Sequence, residues 1–288
     1  MSPASYRTRL TKKDLDLLAA QTGAGVQALL LDDAAVEEAL ASPDVYEALF
    51  GAQPLEALVV ASPFLCFAVL LERLRQDLAG TSFLSERAGL RQRVPVFDVA
   101  GPRDWLDVRR RRVFLADLLA SYTRVAVETV WFRTGRGWRR RRFSDLSPLN
   151  LAELVELVPP DQRPGVLRRL GDLCLFLSGV FGDHVNQHPL EPRHLTRLAR
   201  LLGGPESGGQ FPEAMPSELV LAGGGGVWEL DWVGQRAYRL AARQAGPDRS
   251  VLEEVADGFG RARRVLDALT REHLRLARSD WFQNPQSG

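Results

Sequence analysis

The chain has 288 residues, 45% of them apolar, with a formal net charge of +1 at pH 7 and two cysteines. That length fits one large domain or a small unit beside a larger one, and the apolar fraction is ample for a core. The charge balance excludes a chain that is basic or acidic throughout, and two cysteines exclude a disulfide scaffold.

Charge is nevertheless uneven along the chain. Residues 1–60 carry four Lys/Arg against nine Asp/Glu, a net of −5. Residues 103–142 carry twelve arginines against Asp104, Asp107, Asp117 and Glu128, a net of +8.

Thr11 is a good N-cap for a first helix through Gln21, with Asp14 at its third position and Gly23 as its end. Val26–Leu31 forms a second helix. Asp32 or Asp33 caps a third, and Ser42-Pro43 starts a fourth that ends at Gly51. These elements make residues 1–51 a small acidic helical unit beside a main domain over residues 52–288. The spacing Ala19, Gly23, Leu29 is that of a helix-turn-helix. Its second helix is apolar and ends in Asp32-Asp33, which repels phosphate, so a plain helical hairpin is expected there.

Ser62-Pro63 repeats the cap-plus-proline start and opens a helix to about Leu78, with Phe64, Phe67, Ala68 and Leu71 on its buried face. Residues 80–101 are broken by Gly80, Gly89, Pro95 and Gly101. Trp105 to about Glu128 reads as one long helix whose first half is basic. The pattern then changes. Residues 127–133 are β-branched and aromatic, residues 134–137 form a Gly-rich turn, and Trp138–Phe143 follows. This is the one convincing β-hairpin signal, at about 127–143. Ser147-Pro148 starts a helix to Val158.

Leu167–Phe181 is the organising stretch. Leu167, Leu170, Cys174, Leu177 and Phe181 mark one helical face, and Leu173, Leu175, Phe176 and Val180 fill the others. A helix that is apolar all round must be covered on all sides. Gly179 and Gly182 suit a close crossing or an exit. Residues 182–189 read as a loop, residues 192–202 as a helix, and residues 203–226 as a Gly-rich connection around a short helix near 215–221. Val227–Gln244 is helical. Ser250 with Glu253 reads as a capping box that opens a last long helix to about Arg278. The fold expected is all-α, a multi-helix bundle around a central buried helix with one inserted β-hairpin.

The segments Ser62–Leu71, Phe114–Tyr122, Gly171–Phe181 and Gly234–Arg239 together resemble a group of uncharacterised bacterial helical proteins. The likeness spans most of the chain. It implies a single helical unit, and neither an activity nor a catalytic residue. The Phe-Pro usual after the central run in that group is Phe181-Gly182 here.

The candidate binding residues are Arg109, Arg110, Arg111, Arg112, Arg133, Arg136, Trp138, Arg139, Arg140, Arg141 and Arg142. Guanidinium groups bind phosphates bidentately, and Trp131 and Trp138 between them offer stacking surfaces. The same arginines could instead cover acidic protein surface. His184, His188, Glu191 and His194 are the weaker candidates for a metal, since three of the four histidines fall within eleven residues. Glu191 and His194 have one half of a di-iron spacing, but there is no second copy.

Gly223–Gly226 lacks the Lys-Ser/Thr of a phosphate loop. Asp172, Asp231 and Tyr238 sit in apolar helices and are expected to form a buried polar cluster with a structural role. Cys66 and Cys174 are expected to be buried free thiols.

The reading favoured is a non-catalytic interaction or regulatory protein, with no cofactor, in which the acidic N-terminal segment and the basic middle pair within or between chains. Self-association or a protein partner is then expected. Nucleic-acid binding through the arginines is the alternative, and an enzyme or metal protein has no motif in support. The first residues are polar, and the run Ala57–Leu71 is interrupted by Pro63 and too short to span a bilayer, so a cytoplasmic protein with no membrane partner is expected.

Overall fold

The computed structural model describes residues 5–51, 60–89, 92–123, 127–134, 137–144, 146–203, 225–244, 246 and 248–274. The chain is all-α with an inserted hairpin. It divides into two compact units. The first joins residues 1–84 with 97–124 and 268–288, and the second joins residues 85–96 with 125–267.

In the first unit a short 3-10 turn, Tyr6–Thr8, precedes α1 (Lys12–Thr22), α2 (Val26–Leu31), α3 (Asp33–Leu40) and α4 (Pro43–Phe50). The expected caps are present. Thr11 and Asp14 form a capping box, Asp32 caps α3, and Gly23 ends α1 in the left-handed region at φ 71°. Asp14 does more than close its own helix. Its carboxylate is fully buried and accepts the backbone N–H of Ser62 at 2.8 Å, so it fixes the start of α5 (Pro63–Ala79) as well. Ser62 in turn caps α5 through the N–H of Leu65.

After α5 come α6 (Ala100–Leu106) and α7 (Arg109–Ser121), and α5 packs against α3, α4, α6 and α7. The single helix expected over residues 105–128 is therefore two. Val108 is extended at the break, and Nη1 of Arg112 donates to the carbonyls of Leu106 and Asp107 at 2.7 and 2.8 Å. Those are end carbonyls of α6 with no partner inside the helix, and the guanidinium satisfies them.

The second unit holds a strand pair not foreseen among the breakers at 80–101: β1 (Leu84–Gly89) pairs with β2 (Gln92–Val96). The foreseen hairpin is β3 (Val127–Thr134) with β4 (Gly137–Ser144), antiparallel and closed by the pair Thr134 and Gly137. Helices α8 (Pro148–Leu157), α9 (Arg163–Val180), α10 (Gly182–Gln187), α11 (Pro192–Leu202), α12 (Gly225–Ala242), α13 (Arg249–Asp257) and α14 (Phe259–Leu269) follow.

Helix α9 is the expected central helix. It packs against α8, α10 and α12, and it buries Leu167, Leu170, Leu173, Cys174, Leu175, Phe176 and Val180. Each large apolar side chain so buried contributes about 1.5–3 kcal/mol. The packing is close because glycines stand at the crossings. A methyl group on Gly171 would lie 2.6 Å from the Tyr238 ring, and one on Gly179 would lie 2.6 Å from Leu266 Cβ. Gly234 of α12 meets the Phe259 ring and Cys174 in the same way. Two of the segments that carry the resemblance, Gly171–Phe181 and Gly234–Arg239, thus pack on one another.

Two further expectations fail. Residues 182–187 are a short helix, not a loop. The last helix is not continuous from Ser250. Glu253 pairs with Arg249 at 2.9 Å instead of closing a capping box, and Gly258 separates α13 from α14. Thr270–Leu274 is a π-helical turn that sets His273 against the Tyr46 ring. The short helix expected near 215–221 lies outside the described residues.

Candidate functional site

Arg109–Arg112 open α7 in the first unit. Their run of four hides three different environments. Arg112 is 1% exposed, and its Nε donates to Glu72 Oε1 at 2.5 Å and lies 3.3 Å from the Tyr6 hydroxyl. Its Nη2 pairs with Glu37. Tyr6 donates to the same Glu72 oxygen at 3.1 Å, and Arg75 holds the other at 2.8 Å. Arg109 pairs with Glu37 at 2.7 Å, and Arg111 lies over the Trp105 ring, 5.6 Å from its centroid. Arg110 is exposed.

Arg112 therefore does not belong among the ligand-binding residues. It is the centre of a buried ion-pair network, and Glu72 and Glu37 are the partners that sequence reasoning missed. Burial pushes the Glu72 carboxyl up, while the hydrogen bond and charge of Arg75 pull it down. Position alone does not single out Arg112, since Arg109 shares a helical face with Val113 and Ala116, and Arg111 with Leu115 and Leu118, all buried. Arg112 shares its face with Ala116 and Leu119, and what distinguishes it is the pair of glutamates, Glu37 and Glu72, that it meets.

Arg133 and Arg139–Arg142 lie on the β3–β4 ribbon of the second unit, and Arg136 lies outside the described residues. The register pairs Arg133 with Trp138, Trp131 with Arg140, and Thr129 with Arg142. It pairs Phe132 with Arg139, Val130 with Arg141, and Glu128 with Phe143. Side chains alternate along a strand and directly paired residues share a face. One face thus carries the positions Trp131, Trp138, Arg133, Arg140 and Arg142. The other carries Val130, Phe132, Phe143, Arg139, Arg141 and Glu128. The ribbon is anchored through β4, against which α8 packs.

Of the metal candidates, His184 and His188 come together, with rings stacked 4.5 Å apart. His188 Nδ1 lies 3.2 Å from the carbonyl of His184. Glu191 pairs with Arg193. Among the described residues no three His, Cys, Asp or Glu side chains converge as a metal site.

Nearby, Glu229 of α12 carries the second unit's clearest pH signature. Burial pushes its carboxyl up to about 7, against a hydrogen bond from the backbone of Leu190. Its Oε2 is buried with no hydrogen-bond partner among the described residues. A carboxyl with a raised pKa binds its proton more tightly in the folded state. Its stabilising contribution is complete below the ordinary value of 4.5 and is lost as the pH rises through about 7. Urea midpoints measured from pH 5 to 8 should therefore fall more steeply for the wild type than for Glu229→Gln. Equal slopes would show that Glu229 ionises freely in the fold.

The residues expected to form one polar cluster in the central helices fall in two pairs. Tyr238 donates to Asp172 at 2.8 Å, and Arg263 donates to Asp231 at 2.9 Å. Burial raises the Asp231 carboxyl against the charge and hydrogen bond of Arg263. The thiol of Cys174 is pushed well up by burial and by Asp231, which keeps it in the unreactive protonated form. Both Cys66 and Cys174 are buried thiols outside any disulfide. A second pair of links ties β1 and β2 to α14: Arg93 grips Asp267 with two bonds of 3.0 and 3.2 Å, and Arg264 pairs with Glu86.

Among the described residues no helix is long and apolar enough to cross a membrane. Comparison of the chain with known protein families, characterised proteins and solved structures finds no match.

Proposed function

We propose that the protein is a non-catalytic nucleic-acid-binding protein whose contact element is the β3–β4 ribbon. The observation that supports this reading is the strand register, which groups Arg133, Arg140 and Arg142 with Trp131 and Trp138 on one ribbon face. Arginine matches phosphate in charge and bidentate geometry, and indole matches the faces of bases. The opposite face carries Val130, Phe132 and Phe143 together with Arg139, Arg141 and Glu128, and so has no tryptophan beside its arginines.

The arginines of α7 contribute less than their number suggests, because Arg109 and Arg112 neutralise Glu37 and Glu72. The same fact bears on the reading as a self-associating or partner-bound protein. Glu37 of the acidic N-terminal segment meets two arginines of the basic middle, Arg109 and Arg112, inside one chain.

Binding of this kind releases counterions from the phosphates, and affinity falls with salt accordingly. With three to five phosphates neutralised, raising salt from about 50 to 200 mM should weaken binding roughly 20- to 500-fold. Replacing Arg139–Arg142 together with alanine should abolish that salt-sensitive binding. Absence of any binding at the lower salt would remove the reading and return the ribbon to a role toward protein.

A further inference from the structure

The ribbon face carries a pattern finer than its charge. Trp131 stands opposite Arg140, and Trp138 stands opposite Arg133. The two pairs are two residues apart along the ribbon, roughly 7 Å, and the two tryptophans fall on opposite strands. Moving along the face or across it, each tryptophan position has an arginine position as its neighbour. We infer that the ligand of this face is single-stranded nucleic acid, with the tryptophans serving as base platforms and the arginines as phosphate partners.

This rests on the nucleic-acid reading above, and chemistry narrows it. In a duplex the base faces are stacked on one another, and a protein meets only base edges and phosphates. Edge readers in a groove are arginine, asparagine, glutamine and other polar side chains of fitting length. Two indoles on one small face have nothing to stack on there. An unpaired strand offers the face of every base beside a phosphate, which is the alternation that the ribbon repeats. The remaining positions of the face, Val127, Thr129 and Ser144, are small or β-branched and hold no acid to repel phosphate.

The same Trp and Arg pairs would also stabilise a ribbon with no ligand, since aromatic and cationic cross-strand neighbours attract. The test must therefore separate stacking on bases from ribbon stability. Affinities for an oligothymidylate of about twenty nucleotides and for its duplex with oligoadenylate, measured at one low salt concentration, make the first comparison. The single strand should bind at least about tenfold tighter than the duplex, the order of one base–indole stack. Equal or tighter binding of the duplex overturns the inference while leaving the nucleic-acid reading intact. Binding of neither form removes that reading itself.

The variants make the second comparison. Trp131→Leu with Trp138→Leu keeps apolar bulk on the ribbon and removes the aromatic faces. It should lose about tenfold or more of its affinity for the single strand. Its duplex affinity should change by no more than about twofold. Trp131→Phe with Trp138→Phe should retain most single-strand binding. Equal loss for both strand forms, or no loss in a leucine variant whose melting matches the wild type, contradicts the stacking role.

Discussion

Replacing Arg112 with methionine should lower the unfolding free energy by about 3–5 kcal/mol, the cost of leaving a buried charge without its partner. The cost comes from what remains. Glu72, with no exposure, would lose its 2.5 Å partner and keep only Arg75 and the Tyr6 hydroxyl. The carbonyls of Leu106 and Asp107 would lose the donor that closes the end of α6.

The pair is a different quantity from either member. Arg112→Met combined with Glu72→Leu removes both charges and should recover most of the loss, because a buried ion pair exchanged for apolar groups is often neutral. Chemical denaturation of the two single variants and the double variant, read as a thermodynamic cycle, measures this. Additive losses would show that Arg112 and Glu72 are not coupled. A loss below about 1 kcal/mol for Arg112→Met alone would show that water reaches the network.

The second large effect is a change of sign within one helix. Gly179→Ala should destabilise by about 1–3 kcal/mol, the usual cost of overpacking, although alanine is the better helix former by about 1 kcal/mol. Its new methyl would meet Leu266 Cβ at 2.6 Å, and a Cβ moves only if its backbone moves. Gly165→Ala, in the same helix, has nothing within 4 Å of the new methyl and should stabilise by up to about 1 kcal/mol. Thermal melts of the two variants beside the wild type should bracket it. A Gly179→Ala variant that melts above the wild type, as Gly165→Ala should, would mean that α9 and α14 do not approach as closely as the structure has them.

What could be read from the sequence was local. Thr11 with Asp14, Asp32, Ser62-Pro63, Ser147-Pro148 and Gly23 each act within one turn of chain, so their composition suffices to place a helix end. The central helix was legible because an apolar surface on every side admits only a covered position. The hairpin was legible from β-branched and aromatic residues around Gly135-Arg136-Gly137.

Failures came where a side chain acts at a distance. The break after Leu106 depends on Arg112 reaching back to two carbonyls, and a run of four arginines hides which one turns inward. The β1 sequence has no period of two, and Arg93 and Glu86 reach α14 residues 174 and 178 positions away. Ser250 and Glu253 satisfy the capping pattern, but Arg249 takes the glutamate. At the candidate site the arginines were legible as a group. Their division between a buried network and a ribbon face was not, because it depends on Glu37, Glu72 and the strand register.

The most direct test of the central claim, that one face of the ribbon binds nucleic acid, compares the two faces at equal charge removed. Arg140→Ala with Arg142→Ala takes two arginines from the tryptophan face. Arg139→Ala with Arg141→Ala takes two from the face of Val130, Phe132 and Phe143. Each variant is titrated with a single-stranded oligonucleotide across a range of salt. The first should bind more weakly, and its salt slope should become shallower by about 1.4, or about 0.7 for each phosphate no longer neutralised. The second should keep the wild-type slope. Equal changes in both would mean that the arginines act only as diffuse charge, and no change in either would mean that the ribbon does not meet nucleic acid at all.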